Sequence, residues 1–276
     1  MVRDLNGKTI VITGASSGIG AATALACAKA GMNVVLNARR ADKLDAVADR
    51  VRQAGAQAQT VLGDVTEQGI SERMLDAAQD RFGRFDAVFA NAGYGFDRAA
   101  HEVSDEVLRE IFDVNFFASV DLCNLAADRL LAERRPGHLL MCSSCLGRFT
   151  LPGHSAYSAT KAAQAHVCSA MRIELGPHGI YVSSVHPITT VTEFFEVSAR
   201  LSGKDTGGKS APEHAPRLFV QPAERVANAV VRCLRRPRPE VWTSFTTRAV
   251  AALMTLSPRF GDVILRKAWK HDRKKR

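Results

Sequence analysis

The stretch Thr13-Gly14-Ala15-Ser16-Ser17-Gly18-Ile19-Gly20 decides the fold. Ahead of it, Lys8 to Thr13 is a β-branched run that reads as a buried strand, and behind it Gly18 to Ala30 is a small-residue helix pattern closed by Gly31. A glycine-rich turn between strand and helix is where an α/β sheet receives a dinucleotide pyrophosphate. Glycine lets the backbone approach, and the helix N-terminus offers unpaired N–H groups with a partial positive charge. Gly14, Ser16, Ser17, Gly18, Ile19 and Gly20 are therefore candidate cofactor-binding residues.

Outward from this turn, short apolar runs at Asn33 to Asn37, Gln57 to Leu62, Phe85 to Ala90, His138 to Cys142 and Ile180 to Val185 alternate with helical stretches such as Ala41 to Gln53 and Glu67 to Arg81. That rhythm predicts a doubly wound parallel β-sheet of the α/β class, and no repeat at a solenoid period competes with it. Leu201 to Arg217, with Gly203, Gly207, Gly208, Pro212 and Pro216, lacks periodicity and reads as a lid loop. Pro222 to Leu234 reads as a helix and Arg238 to Trp242 as a final edge strand. Residues 1–242 are expected to form the catalytic domain and 243–276 a helical extension.

The 276 residues carry 37 Lys+Arg against 28 Asp+Glu, a net charge of +9, with 46% hydrophobic and 24% charged residues, which excludes a disordered or collagen-like chain. The first residues hold no apolar stretch before a small-residue cleavage site, and no apolar run nears the ~18 residues of a membrane span. Six scattered cysteines read as reduced thiols, so a cytoplasmic location is expected; Cys142-Ser143-Ser144-Cys145 has redox spacing but is read as two ordinary thiols. No metal cluster is expected. Most of the excess charge is local: Arg266 to Arg276 hold seven basic residues against Asp272. No zinc-finger, helix-turn-helix or RNA-recognition pattern accompanies it, so nucleic acid is not an expected partner.

Two further places carry chemistry. Where an acid at the end of the second strand would bond the ribose 2′-hydroxyl of NAD, this chain has Ala38 followed by Arg39 and Arg40, which suit the 2′-phosphate of NADP. Tyr157-Ser158-Ala159-Thr160-Lys161 opens a long helix running to Glu174 and puts Tyr157 and Lys161 on one face. An ammonium beside a phenol pulls its pKa down from ~10 toward the range of an acid–base catalyst. Ser144, thirteen positions earlier at the end of an apolar strand, can reach the same substrate oxygen.

With the glycine turn, Asp64-Val65, Asn91-Ala92-Gly93, Asn115, Ser144, Tyr157 and Lys161 in this order and spacing, the chain resembles the short-chain dehydrogenase/reductase family from about residue 5 to 242. The resemblance implies a Rossmann fold and hydride exchange between NADP(H) and a carbonyl/alcohol pair. It implies that Tyr157 is the acid–base group, that Ser144 polarises the substrate oxygen, and that Lys161 holds the nicotinamide ribose and tunes Tyr157. Asn115 would position a water in the proton path, Asp64 and Val65 would flank the adenine, and Asn91, Ala92 and Gly93 would line the cleft. Pro187, Thr190 and Thr192 would lie near the nicotinamide carboxamide. Family members commonly pair through the helices bearing Asn115 and Tyr157, so a homodimer or homotetramer is expected.

Two positions depart from the family pattern. Ile188 follows Pro187 where glycine is usual and would narrow the pocket, and Ala90 stands where an asparagine commonly precedes Asn91. Tyr94, Phe96, Cys145, Leu146, Phe149, Leu151, His154, Ile188, Phe194 and Phe195 are candidate pocket residues, mostly apolar, which points to a small hydrophobic carbonyl or alcohol substrate. The competing reading is a non-catalytic NADPH-binding sensor or scaffold, disfavoured by the intact set of four polar residues. In the extension, Val250, Leu253, Met254, Phe260, Val263, Ile264 and Trp269 recur near helical spacing beside the basic cluster. Docking on its own domain or against a partner subunit is the plainer expectation, and peripheral contact with an anionic membrane the alternative.

Overall fold

Every residue of β1 (Thr9–Thr13) is buried, and successive side chains serve opposite faces: Ile10 and Ile12 join one apolar cluster, Val11 the other. In the computed structural model residues 2–203, 220–257, 259, 261–263 and 265–266 are described. After β1 the chain runs through α1 (Gly18–Lys29), β2 (Asn33–Ala38), α2 (Ala41–Gln53), β3 (Ala58–Leu62), α3 (Ile70–Phe82) and β4 (Ala87–Ala90). Then come α4 (Asp105–Phe112), a π-helical turn (Asp113–Phe117), α5 (Ala118–Ala132), β5 (Gly137–Cys142), α6 (Ser155–Leu175) and β6 (Ile180–His186). The remainder is β7 (Thr189–Val191), α7 (Phe194–Leu201), β8 (Val220–Pro222), α8 (Ala223–Arg235), β9 (Glu240–Trp242) and α9 (Phe245–Leu256).

Seven of these strands form one parallel sheet in the order β3-β2-β1-β4-β5-β6-β9. This is the doubly wound Rossmann arrangement. The order reverses at β1, which pairs with β2 on one side and β4 on the other, so the crevice for a ligand opens at the carboxyl ends of these strands. Helices α1, α2 and α8 pack on one face through Ala24, Leu44, Val47, Val226 and Val230; α3, α5 and α6 cover the other through Met74, Leu75, Leu122 and Cys168. The small residues of α1 allow its close approach to α8 and to the sheet.

Some boundaries differ from expectation. β4 begins at Ala87 rather than Phe85, and Pro222 is the N-cap of α8, where its missing N–H costs nothing. β7 and β8, pairing in parallel from Thr189↔Val220 to Val191↔Pro222, were not anticipated, because three residues give too short a pattern to read. Of the expected lid, Leu201 closes α7 and Ser202-Gly203 make a turn; 204–217 lie outside the described residues. α9 starts at Ser244, whose hydroxyl accepts from Thr247 N at 3.2 Å. It buries Thr247, Ala251 and Met254 and turns Phe245 (83% exposed), Leu253 and Leu256 (83%) outward. Phe260, Ile264, Trp269 and Lys267 to Arg276 lie outside the described residues. No described helix is long and apolar enough to cross a membrane.

Candidate active site

The glycine turn is held by the two residues that follow β4. Thr13 Oγ1 accepts from the backbone N–H of Asn91 (2.9 Å) and Ala92 (3.0 Å), and the Asn91 side chain donates back to Thr13 O at 3.0 Å. Gly14 (φ +64°) and Gly18 (φ +54°) have left-handed backbones, and a Cβ on either would meet Ala92 Cα or Thr192 Cγ2 at 2.9 Å. The N-cap of α1, Ser17, makes no side-chain cap bond, and no acid occupies the first turn, so the N–H groups there stay open to the cleft. These features fit a dinucleotide pyrophosphate. Gly20 departs from expectation: it does not line the cleft but backs the turn, where a Cβ would clash with Gly14 O.

The two arginines after β2 have different surroundings. Arg39 is 76% exposed and pairs with Asp64 at 3.2 Å. Partial burial alone would raise the Asp64 carboxyl, but hydrogen bonds from Thr66 and the charge of Arg39 outweigh it and hold the group below its usual range. Arg40 donates to Ser16 Oγ (3.0 Å) and Ser17 Oγ (2.9 Å) and pairs with Glu193 at 2.7 Å. Glu193 also pairs with Lys43, so one carboxylate ties the segment before α7 to the start of α2. Nothing in the sequence pattern singles out Glu193.

Ser144, Tyr157 and Lys161 face the same cleft of about 2460 Å³, together with Gly14, Arg39, Arg40, Asp64, Val65, Asn91, Gly93, Pro187, Thr190 and Thr192. Ser144 follows β5 in extended backbone; its hydroxyl oxygen accepts from Leu146 N at 3.1 Å, while its carbonyl is bonded at 2.9 Å by His186, whose ring stacks on Trp242. Tyr157, third in α6, packs edge-on against Phe194. Lys161 is 3% exposed and donates to Cys142 O at 2.7 Å and to Gln164 Oε1 at 3.0 Å.

The four-residue spacing predicts that Lys161 lowers the Tyr157 pKa, whereas the net shift in the structure is upward. Burial raises the phenol well above its ordinary value, with the hydrogen bond of Ser144 working against it and the thiols of Cys142 and Cys145 working with it. Burial also lowers Lys161 to about 8. The ammonium lies 5.7 Å from the Tyr157 ring centroid and spends two of its hydrogen bonds on Cys142 O and Gln164.

Asn115 sits behind the cleft rather than in it. It lies in the π-helical turn, fully buried, and its side chain accepts from Tyr94 N, donates to Tyr94 O, and donates to Thr160 Oγ1 at 3.1 Å. Its backbone carbonyl accepts from Gln164 Nε2 (2.6 Å) and Ser119 Oγ (2.9 Å). Gln164 was missed: its place one turn after Lys161 puts it within reach of the ammonium, but nothing in the spacing shows that it bonds Asn115.

Of the expected pocket residues, Phe96 is displaced: it is buried in a satellite cluster with Ile111 and Ala156. Tyr94, Cys145, Leu146, Phe149, Leu151, His154, Ile188, Phe194 and Phe195 line the cleft, and Ile188 is only 6% exposed. The extension contributes Thr247, Val250, Met254 and Leu265 to the same wall. Cys142 and Cys145 are free thiols, both raised by burial, which is the opposite of a redox pair. No group of three metal-ligating side chains occurs among the described residues.

A family model described as short chain dehydrogenase matches residues 8–200. The chain is 31% identical over 269 residues to 1-deoxy-11-beta-hydroxypentalenate dehydrogenase of Streptomyces exfoliatus, covering 97% of this chain and 90% of that protein. It is 35% identical over 234 residues to a glycine betaine reductase of Emericella nidulans, covering 84% of this chain but spanning only 18% of that much longer protein. Among solved structures, a short-chain type dehydrogenase/reductase from Mycobacterium marinum superimposes with a TM-score of 0.74 at 31% identity, covering 84% of this chain and 89% of the other.

Proposed function

The chain belongs to the short-chain dehydrogenase family, and from that premise we propose an NADP(H)-dependent oxidoreductase that interconverts a ketone or aldehyde and an alcohol on a small hydrophobic substrate. The observation that carries the reading is the convergence of Ser144, Tyr157 and Lys161 on a cleft whose other end is the glycine turn. A bound nicotinamide supplies or receives the hydride. Tyr157 gives its proton to the substrate oxygen in reduction and takes one in oxidation; its raised pKa keeps the proton in place at neutral pH and supports the acid role. Ser144, whose oxygen already accepts from Leu146 N, retains its own O–H to donate to the same oxygen. Lys161, charged below about pH 8, has one N–H beyond its two hydrogen bonds for the ribose hydroxyls.

Preference for NADP(H) rests on Arg39, since a guanidinium suits a 2′-phosphate and no acid directly follows Ala38, while Arg40 holds the serines of the glycine turn. Leu146, Phe149, Ile188 and Phe194 support a hydrophobic substrate. Association into a homodimer or homotetramer is supported by the exposed Phe117, beside Asn115, and Ile173, on the helix of Tyr157. A cytoplasmic location is supported by the free thiols, and peripheral membrane contact by the outward apolar face of α9. The test is a panel of hydrophobic ketones, aldehydes and secondary alcohols with NADPH, NADH and their oxidised forms. Turnover with NADPH or NADP on at least one member is expected; tight cofactor binding without turnover on any would mark a sensor and end the enzymatic reading.

A further inference from the structure

Behind the cleft, one side chain joins the π-helical turn to α6. Gln164 is fully buried, its Oε1 accepts from Lys161 Nζ at 3.0 Å, and its Nε2 donates to Asn115 O at 2.6 Å and Ser119 Oγ at 2.9 Å. The amide orientation is dictated by its neighbours: an ammonium can only donate, so it demands the oxygen, and a backbone carbonyl can only accept, so it demands the nitrogen. One carbonyl oxygen and two N–H groups meet one donor and two acceptors, leaving no polar atom of the side chain unsatisfied. The titratable groups facing the ammonium are Tyr157, 5.7 Å away on its own helix, and the Cys142 thiol from β5; the π-helical turn offers only the neutral amide of Asn115, and the segment after β4 the backbone of Gly93.

We propose that Gln164 is the positioning residue for Lys161: its amide anchors the ammonium to the carbonyl of Asn115, fixing it against Cys142 O with one N–H directed to the cleft. The inference rests on the reading of Lys161 as part of the hydride-transfer site. With two of three N–H groups bonded to neutral buried oxygens, the ammonium is held in place and kept charged without a counter-ion. A side-chain amide does not ionise in the ordinary pH range, so the link carries position and charge stabilisation but passes no protons from Asn115 to Lys161. Protons that restore Tyr157 must then arrive from the cleft.

Two near-isosteric substitutions test this in the full chain. Gln164→Met removes the acceptor; Gln164→Glu keeps an oxygen facing Lys161 whether ionised or protonated. The readouts are the ¹⁵N titration of Lys161 Nζ, which needs no turnover, and the alkaline limb of kcat with NADPH. Gln164→Met is expected to move both midpoints down by about one pH unit, the worth of a hydrogen bond to a charged group, while Gln164→Glu leaves them at or above the unmutated values. An unchanged Nζ midpoint in Gln164→Met, or a fall shared by both variants, overturns the proposal. In the unmutated protein the Gln164 side-chain amide protons are expected to exchange with D₂O as slowly as core backbone amides, and fast exchange refutes the anchoring even if neither variant folds. Absence of turnover in the unmutated chain is a failure of the hydride-transfer reading, and the Nζ titration still decides the anchoring.

Discussion

Replacing Arg39 separates cofactor choice from stability. The guanidinium is 76% exposed and its ion pair to Asp64 at 3.2 Å is a surface pair worth about 0–1 kcal/mol, so Arg39→Ala should leave the melting temperature nearly unchanged. The proposed contact with a 2′-phosphate, by contrast, would be a hydrogen bond to a charged group worth about 1.5–3 kcal/mol, which at roughly 1.4 kcal/mol per decade is about 10- to 150-fold in affinity. Arg39→Ala should therefore lower kcat/KM for NADPH by that factor and leave NADH within about threefold. Arg39→Asp should go further and invert the preference by setting a second carboxylate beside Asp64. Arg40 predicts a different pattern: because it holds the Ser16 and Ser17 hydroxyls of the glycine turn, Arg40→Ala should weaken NADPH and NADH alike. The assay is initial rates with both reduced cofactors at one ionic strength. Equal use of the two by the unmutated protein, or an unchanged ratio in Arg39→Ala, would refute the assignment of Arg39 to the phosphate.

Acid stability follows from buried histidines: burial lowers His138 to about 3 and His186 to about 4, so between these values and 6.5 the unfolded chain binds more protons and stability falls as pH drops. The urea midpoint should decline from pH 6.5 to 4, and His138→Asn, whatever its overall cost, should flatten that decline; an equal slope in the variant would show that other groups cause it. Gly20→Ala, whose Cβ would press on Gly14 O, should weaken NADPH binding at least ~10-fold although Gly20 lines no part of the cleft; calorimetric titration checks it, and unchanged affinity would free the turn from that packing. Phe245→Ser with Leu256→Ser should abolish any co-sedimentation with anionic vesicles while sparing turnover of a soluble substrate, and a protein that never sediments at low salt ends the membrane reading.

The alternation of buried strands and helices was legible because the strands between the edge strands β3 and β9 are covered on both faces, and that burial writes mostly apolar runs. The glycine turn, and separately Ser144, Tyr157 and Lys161, were legible because each set is local to a single strand–helix unit, β1–α1 and β5–α6. The sign of the Tyr157 shift was not: it depends on how deeply the ring is buried and on where Lys161 Nζ points, neither of which a four-residue spacing encodes. Gln164 and Glu193 act across 49 and 150 or more positions, on Asn115 and on Lys43 and Arg40, so only the tertiary fold brings them to their partners. Phe96 illustrates the converse error, since nearness in sequence to Tyr94 and Asp97, both on the cleft, does not turn its ring the same way.

The central claim is that Tyr157 transfers the proton in a hydride-transfer reaction. The most direct measurement is kcat for Tyr157→Phe on a substrate found in the carbonyl and alcohol panel, with NADPH affinity titrated on the same sample. The phenol makes no phosphate contact and the substitution keeps the ring packed on Phe194, so affinity should stay within about threefold while kcat falls at least ~100-fold. A variant that turns over within a few-fold of the unmutated protein would contradict the account.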